Sequence, residues 1–177
     1  HKVGPLPPST MRVGSVCTAL GTSQFVVDCT IGFLSPALVP ALLFIIGAVI
    51  SFATGTSWGT FGILIPITLE VFPITDPIGV ICVSACMAGA VCGDHCSPIS
   101  DTTIMASAGA HSDHVNHIST QLPYALTAAG VSIVGYLLAG ALGYTFGNNT
   151  AMLALPVTII LLFIVLMFLR KFVGEKQ

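Results

Sequence analysis

Two long apolar stretches of this chain are each interrupted by a polar cluster, SFATGTSWGT at residues 51–60 and GDHCSPISDTT at residues 93–103. The sequence around them suits a lipid solvent: 54% of the 177 residues are hydrophobic, 7% are charged, and the mean hydropathy is +0.97. In hydrocarbon every backbone N–H and C=O needs an internal partner, so an interrupted helix survives only where protein buries it or where it lines a cavity. The pattern predicts an all-α integral membrane protein, a polytopic helical bundle with discontinuous or re-entrant helices.

A full crossing takes about 20 apolar residues. Residues 36–52 form one nearly unbroken run, whereas residues 61–72 fit a half-helix or re-entrant segment, and FPITDP at 72–77 reads as a turn. Residues 78–92 read as a second short helix. With the polar cluster after it and a further short helix to about Ala110, it makes one discontinuous crossing. HSDHVNHIST at 111–120 reads as a water-facing loop, and residues 123–146 and 151–169 as full spans joined by a turn at 147–150. Three of the five basic residues are Arg170, Lys171 and Lys176, so the positive-inside bias places the C-terminus in the cytoplasm.

Two interrupted segments in succession are the sequence pointer to a secondary transporter's binding site. Ionisable groups within spanning segments mark ion or proton pathways by default. On an unbroken helix Asp94 and Asp101 would stand about 10.5 Å apart along the axis, too far to hold one small cation together. Pro98 cannot continue the hydrogen-bond ladder, and Ser97-Pro98 suits the start of a new helix. An unwound stretch at residues 95–97 is therefore expected to bring the carboxylates together. Asp94, at the negative end of the first half-helix, is expected to carry the proton. Asp101, in the first turn of the second, is expected to stay ionised and anchor a hard cation with oxygens of Ser97, Thr102 and Thr103.

The remaining polar residues admit plainer readings. His95 is a candidate proton relay, or a residue that orients Asp94 or hydrogen-bonds a carbonyl. His111, Asp113, His114 and His117 have a spacing compatible with metal binding or pH sensing, but solvated loop residues are the commoner case. Gly55 and Gly59 form a G-x-x-x-G pattern that would serve helix packing. Glu70 and Asp28 lie near segment ends, where an interfacial role is expected. Of six cysteines, Cys82, Cys86, Cys92 and Cys96 fall in apolar sequence and are expected to be free thiols. Cys92, Asp94, His95 and Cys96 are conceivable zinc ligands of a membrane enzyme, yet no C-x-x-C pair supports that alternative. No basic stripe or cluster is present to bind nucleic acid.

GTSWGTFGILIPI followed by GDHCSPISDTTIMASAGAHSDHVNHISTQLPYAL closely resembles the NhaC-type sodium/proton antiporters of bacterial inner membranes. The resemblance covers residues 36–169 and is to the C-terminal part of such transporters. It implies one half of an inverted-repeat secondary transporter of the ion-transporter superfamily, not an enzyme, exchanging Na+ for H+ without a cofactor or a structural metal. Carried over by motif, Thr56, Ser57, Asp94, Ser97, Asp101 and Thr102 are the expected ion-site positions. Some relatives exchange organic acids or other organic solutes, so such an exchanger on the same scaffold is the alternative. The chain divides into a junction segment at 1–35, a transporter domain at 36–170 and a cytoplasmic tail at 171–177. Its short length implies a missing N-terminal half or a separate partner chain, and analogy adds a homodimer.

Overall fold

The computed structural model describes residues 35–76, 78–146 and 153–174, and these form helices and the turns between them. A single 3-10 turn, Pro36–Leu38, runs into α1, Val39–Thr54. There follow α2 (Ser57–Val71), α3 (Gly79–Cys96), α4 (Asp101–Gly109), α5 (His114–Phe146) and α6 (Ala154–Gly174). Among the described residues, Pro36–Thr54, Gly79–Cys96 and His114–Thr145 are long and apolar enough to cross a bilayer. The protein is a multi-pass membrane protein. The junction segment up to residue 34, the 147–150 turn, Cys17, Cys29, Asp28 and the last three tail residues lie outside the described part, and α6 runs past the expected boundary at 170.

Both helix breaks are shorter than the polar sequence suggests. The first is confined to Gly55 and Thr56, and α2 starts at Ser57 rather than Phe61. Gly55 adopts the left-handed conformation (φ 67°) that ends a helix, and the Thr56 hydroxyl accepts the Gly59 N–H to cap the next one. The expected G-x-x-x-G surface does not form, because this turn separates its two glycines.

In the second segment α3 continues through Asp94 and His95 to Cys96, so the unwound stretch is residues 97–100 and not 95–97. Polar side chains do not stop a helix whose backbone is otherwise paired. Proline does: Ser97, forced toward the extended region before Pro98, has φ −79° and ψ 129°. Ser97 thus terminates α3, and Ser100, rather than Ser97-Pro98, leads into α4.

The loop expected at 111–120 is also shorter, since α5 already begins at His114. Asp113 accepts the Asn116 N–H at its start. With 33 residues α5 is longer than a bilayer crossing requires, so its polar first turns need not lie in hydrocarbon.

Close backbone approach sets the packing. A Cβ on Gly89 would collide with the Phe44 carbonyl oxygen and one on Gly93 with that of Ala48, so α1 and α3 lie almost in backbone contact. The offset of 45 is the same at both points, which means that the helices run parallel. α2 returns between their ends, with Thr68 hydrogen-bonded to the Cys86 thiol (3.2 Å) and Thr60, Leu64 and Thr68 buried on one face. α5 runs antiparallel to α3: Tyr136 donates to the Ser84 carbonyl (3.1 Å) and Gln121 to the His95 carbonyl (3.1 Å). Phe44 and Tyr136 stack with ring centroids 5.6 Å apart.

Candidate functional site

The two breaks meet. A Cβ added to Gly55 would lie 2.9 Å from the backbone oxygen of Ile99, which places the first turn against the second. Continuing the α1–α3 register, the stripe Phe44, Ala48, Ser51, Gly55 brings Ser51 level with the end of α3. The antiparallel α2–α3 register brings buried Thr60 level with Asp94.

Asp94 is 2% exposed, and Ser51 and Ser97 are fully buried. Ser51 Oγ, Asp94 Oδ1 and Ser97 Oγ have no hydrogen-bond partner among the described residues. A buried polar group without a partner costs roughly 1–3 kcal/mol, and more when it is charged. A proton on the carboxyl relieves that cost, as does a cation coordinated by carboxylate and hydroxyl oxygens, the ligands that hard cations prefer. Thr60, by contrast, spends its hydroxyl on the Thr56 carbonyl (3.0 Å).

The other candidates are placed differently. Asp101 opens α4 with its side chain exposed, and its Oδ1 accepts the N–H of Thr102 (2.8 Å). Thr102 is exposed and shares a hydrogen bond with the Ser100 hydroxyl (2.8 Å), while Thr103 is buried. Thr56 and Ser57 are half-buried at the start of α2. His95 is exposed, donates from Nδ1 to the Val91 carbonyl (2.9 Å), and lines a cavity of about 800 Å³ between α3 and α5. Glu70 is exposed in the last turn of α2, and the four described cysteines are free thiols. Among the described residues no three His, Cys, Asp or Glu side chains converge, so Cys92, Asp94, His95 and Cys96 do not form a zinc-type ligand set.

Sequence reasoning missed Ser51 and Gln121, and read His114 only as a metal-binding, pH-sensing or solvated loop residue. Ser51 lies on a stripe of small residues with Ala48 and Gly55, a signal that was legible. The roles of His114 and Gln121 depend on α5 folding back over the second break. His114 donates from Nε2 to the Pro98 carbonyl (2.9 Å) and pairs through Nδ1 with the Ser107 hydroxyl (3.0 Å). It is a strut between elements, not a residue of a solvated loop.

Fold and site define a multi-pass helical membrane protein with a buried carboxyl, one of its oxygens unpartnered, in the helix turn that leads into the point where two breaks touch. The chain belongs to the Na+/H+ antiporter family, whose model matches residues 11–141. The family is one of transporters rather than enzymes. Over 151 residues the chain is 40% identical to an uncharacterized protein of Haemophilus influenzae, covering 85% of this chain and 28% of that one. It is 32% identical over 116 residues to the malate-2H(+)/Na(+)-lactate antiporter of Bacillus subtilis (61% and 24%). It is 29% identical over 130 residues to the arginine/ornithine antiporter ArcD of Halobacterium salinarum (72% and 26%). The chain spans about a quarter of the length of these relatives. No solved structure matches it.

Proposed function

We propose that this chain forms part of a secondary antiporter that exchanges Na+ for H+ across the bacterial cytoplasmic membrane, with its C-terminus in the cytoplasm. The observation that carries the reading is the buried Asp94 carboxyl, with one oxygen unpartnered, beside the unpartnered hydroxyls of Ser51 and Ser97. Proton and cation satisfy the same oxygen and exclude each other, which is the minimum that exchange requires. Asp101 with Thr102 and Thr103 at the start of α4, and Thr56 and Ser57 at the start of α2, are the further residues we assign to the site. His95 lines the α3–α5 cavity, a placement that supports the proton-relay reading over a ligand role. Because the relatives are about three times longer, we infer that the rest of the transporter, or a partner chain, faces these breaks and completes the site. Dimerisation is carried over by analogy.

A second reading is exchange of an organic solute, favoured by relatives named for malate, lactate, arginine and ornithine. Neither break contains Lys or Arg to neutralise a carboxylate substrate, which favours the cation. The test is dissipation of a pH gradient in everted vesicles containing the intact transporter. Sodium alone should dissipate it in the wild type and not in Asp94→Asn. A wild type that responds only when malate, lactate or arginine is added would overturn the sodium/proton reading.

A further inference from the structure

A helix that stops in mid-protein leaves carbonyl groups without their helical donors. In the second break the His95 C=O at the end of α3 and the Pro98 C=O of the turn lie on either side of Cys96-Ser97, and both are held from the same helix. Gln121 donates to the first (3.1 Å) and His114 to the second (2.9 Å). These residues are seven positions apart on α5, two turns along one face. Since a carbonyl only accepts, Nε2 of His114 carries a proton in this arrangement.

The strut is itself tightly anchored. Nδ1 of His114 pairs with Ser107 of α4, Ser112 N–H reaches back to the Ser107 carbonyl, and Asp113 caps the start of α5. The turn accepts a non-glycine residue in the left-handed region, His111 at φ 50°, a conformation that persists only where surrounding contacts dictate it. The break between two fixed carbonyls contains Ser97, one of the three unpartnered buried oxygens, and Asp94 precedes it by three residues.

We propose that His114 and Gln121 are positioning residues: they clamp the backbone on both sides of Ser97 and so fix where the Ser97 hydroxyl and the Asp94 carboxyl point. The inference rests on the site proposed above, and it assigns a function to the HSDHVNHIST segment that neither metal binding nor pH sensing requires. The clamp acts through donors, so the donor and not the bulk of the side chain decides the outcome.

The experiment compares wild type, His114→Ala, His114→Gln and Gln121→Glu in the intact, reconstituted transporter. Two quantities are read: the half-saturating sodium concentration against the maximal rate, and amide hydrogen exchange over residues 97–104. Loss of one such hydrogen bond is expected to raise half-saturating sodium about tenfold in His114→Ala, with the maximal rate held within about twofold. Exchange at the break should quicken. His114→Gln, which keeps an N–H donor, should recover both, and Gln121→Glu, which replaces the donor by an acceptor, should not keep wild-type values. A break that exchanges at the wild-type rate in His114→Ala overturns the clamp. Faster exchange with unchanged half-saturation overturns its link to the site. If the wild type ignores sodium and moves an organic solute, the sodium reading fails in the wild type alone, and the clamp is still judged by the variants with that solute.

Discussion

The two helix breaks touch, yet they are built to opposite specifications. At Gly55-Thr56 the polar groups are used up locally: Gly55 N–H bonds to the Ser51 carbonyl, Thr56 caps α2, and Thr60 bonds back to the Thr56 carbonyl. Between Ser97 and Ser100 the chain depends on α5 for its carbonyl partners and leaves Ser97 Oγ and Asp94 Oδ1 unpartnered. A break that satisfies itself is a turn in the scaffold. The break that leaves buried oxygens unpartnered is the one to which the proposed ion site is assigned.

Substitutions separate the two. Asp94→Asn should have the largest functional effect, a loss of exchange to background in the vesicle assay with expression retained. Wild-type exchange should need more sodium as pH falls, because the proposed exchange has proton and sodium compete for one site. For a single competing proton the half-saturating sodium rises by at most about tenfold per pH unit. A half-saturation that does not move with pH would break the comparison.

Gly93→Ala comes next, and its effect is on folding. The new methyl meets the Ala48 carbonyl oxygen, which is backbone and cannot swing aside. Overpacking of this kind costs roughly 1–3 kcal/mol or more, to be measured as lost yield and thermal stability in detergent. Gly130→Ala is the control: its methyl would meet nothing within 4 Å, and it should be tolerated.

The serines sharpen the contrast by sign. Ser97→Ala and Ser51→Ala remove unpartnered buried hydroxyls, so stability should be unchanged or slightly higher. Half-saturating sodium should nevertheless rise about three- to tenfold, as expected for the loss of one oxygen ligand. Thr56→Ala has the smallest effect on sodium dependence, a rise in half-saturating sodium below that of the serine variants, and the reverse effect on stability: about 1 kcal/mol lost with the cap. Stabilised Ser97→Ala protein with wild-type sodium dependence would show that its hydroxyl is not part of the ion site.

The sequence by itself determined the class. Apolar runs of spanning length, broken by clusters rich in Ser, Thr and Gly, dictate a helical membrane protein, because lipid offers no other way to satisfy a backbone. It also placed Asp94 and Ser97 among the candidates, since a carboxylate in such surroundings needs a reason to be there. Helix ends were less legible. Asp94 and His95 look like break residues but are helical, because Pro98 and not polarity stops α3, and His114 looks like a loop residue but starts α5. Only the tertiary structure decided which polar groups are already paired. Thr60 and Ser51 are both small hydroxyl residues in the same polar cluster, yet one is satisfied by its own helix and the other faces α3 without a partner. That distinction depends on the parallel, glycine-lined contact between α1 and α3 and on the return of α5 over the break. Both are long-range contacts, and local sequence does not specify them.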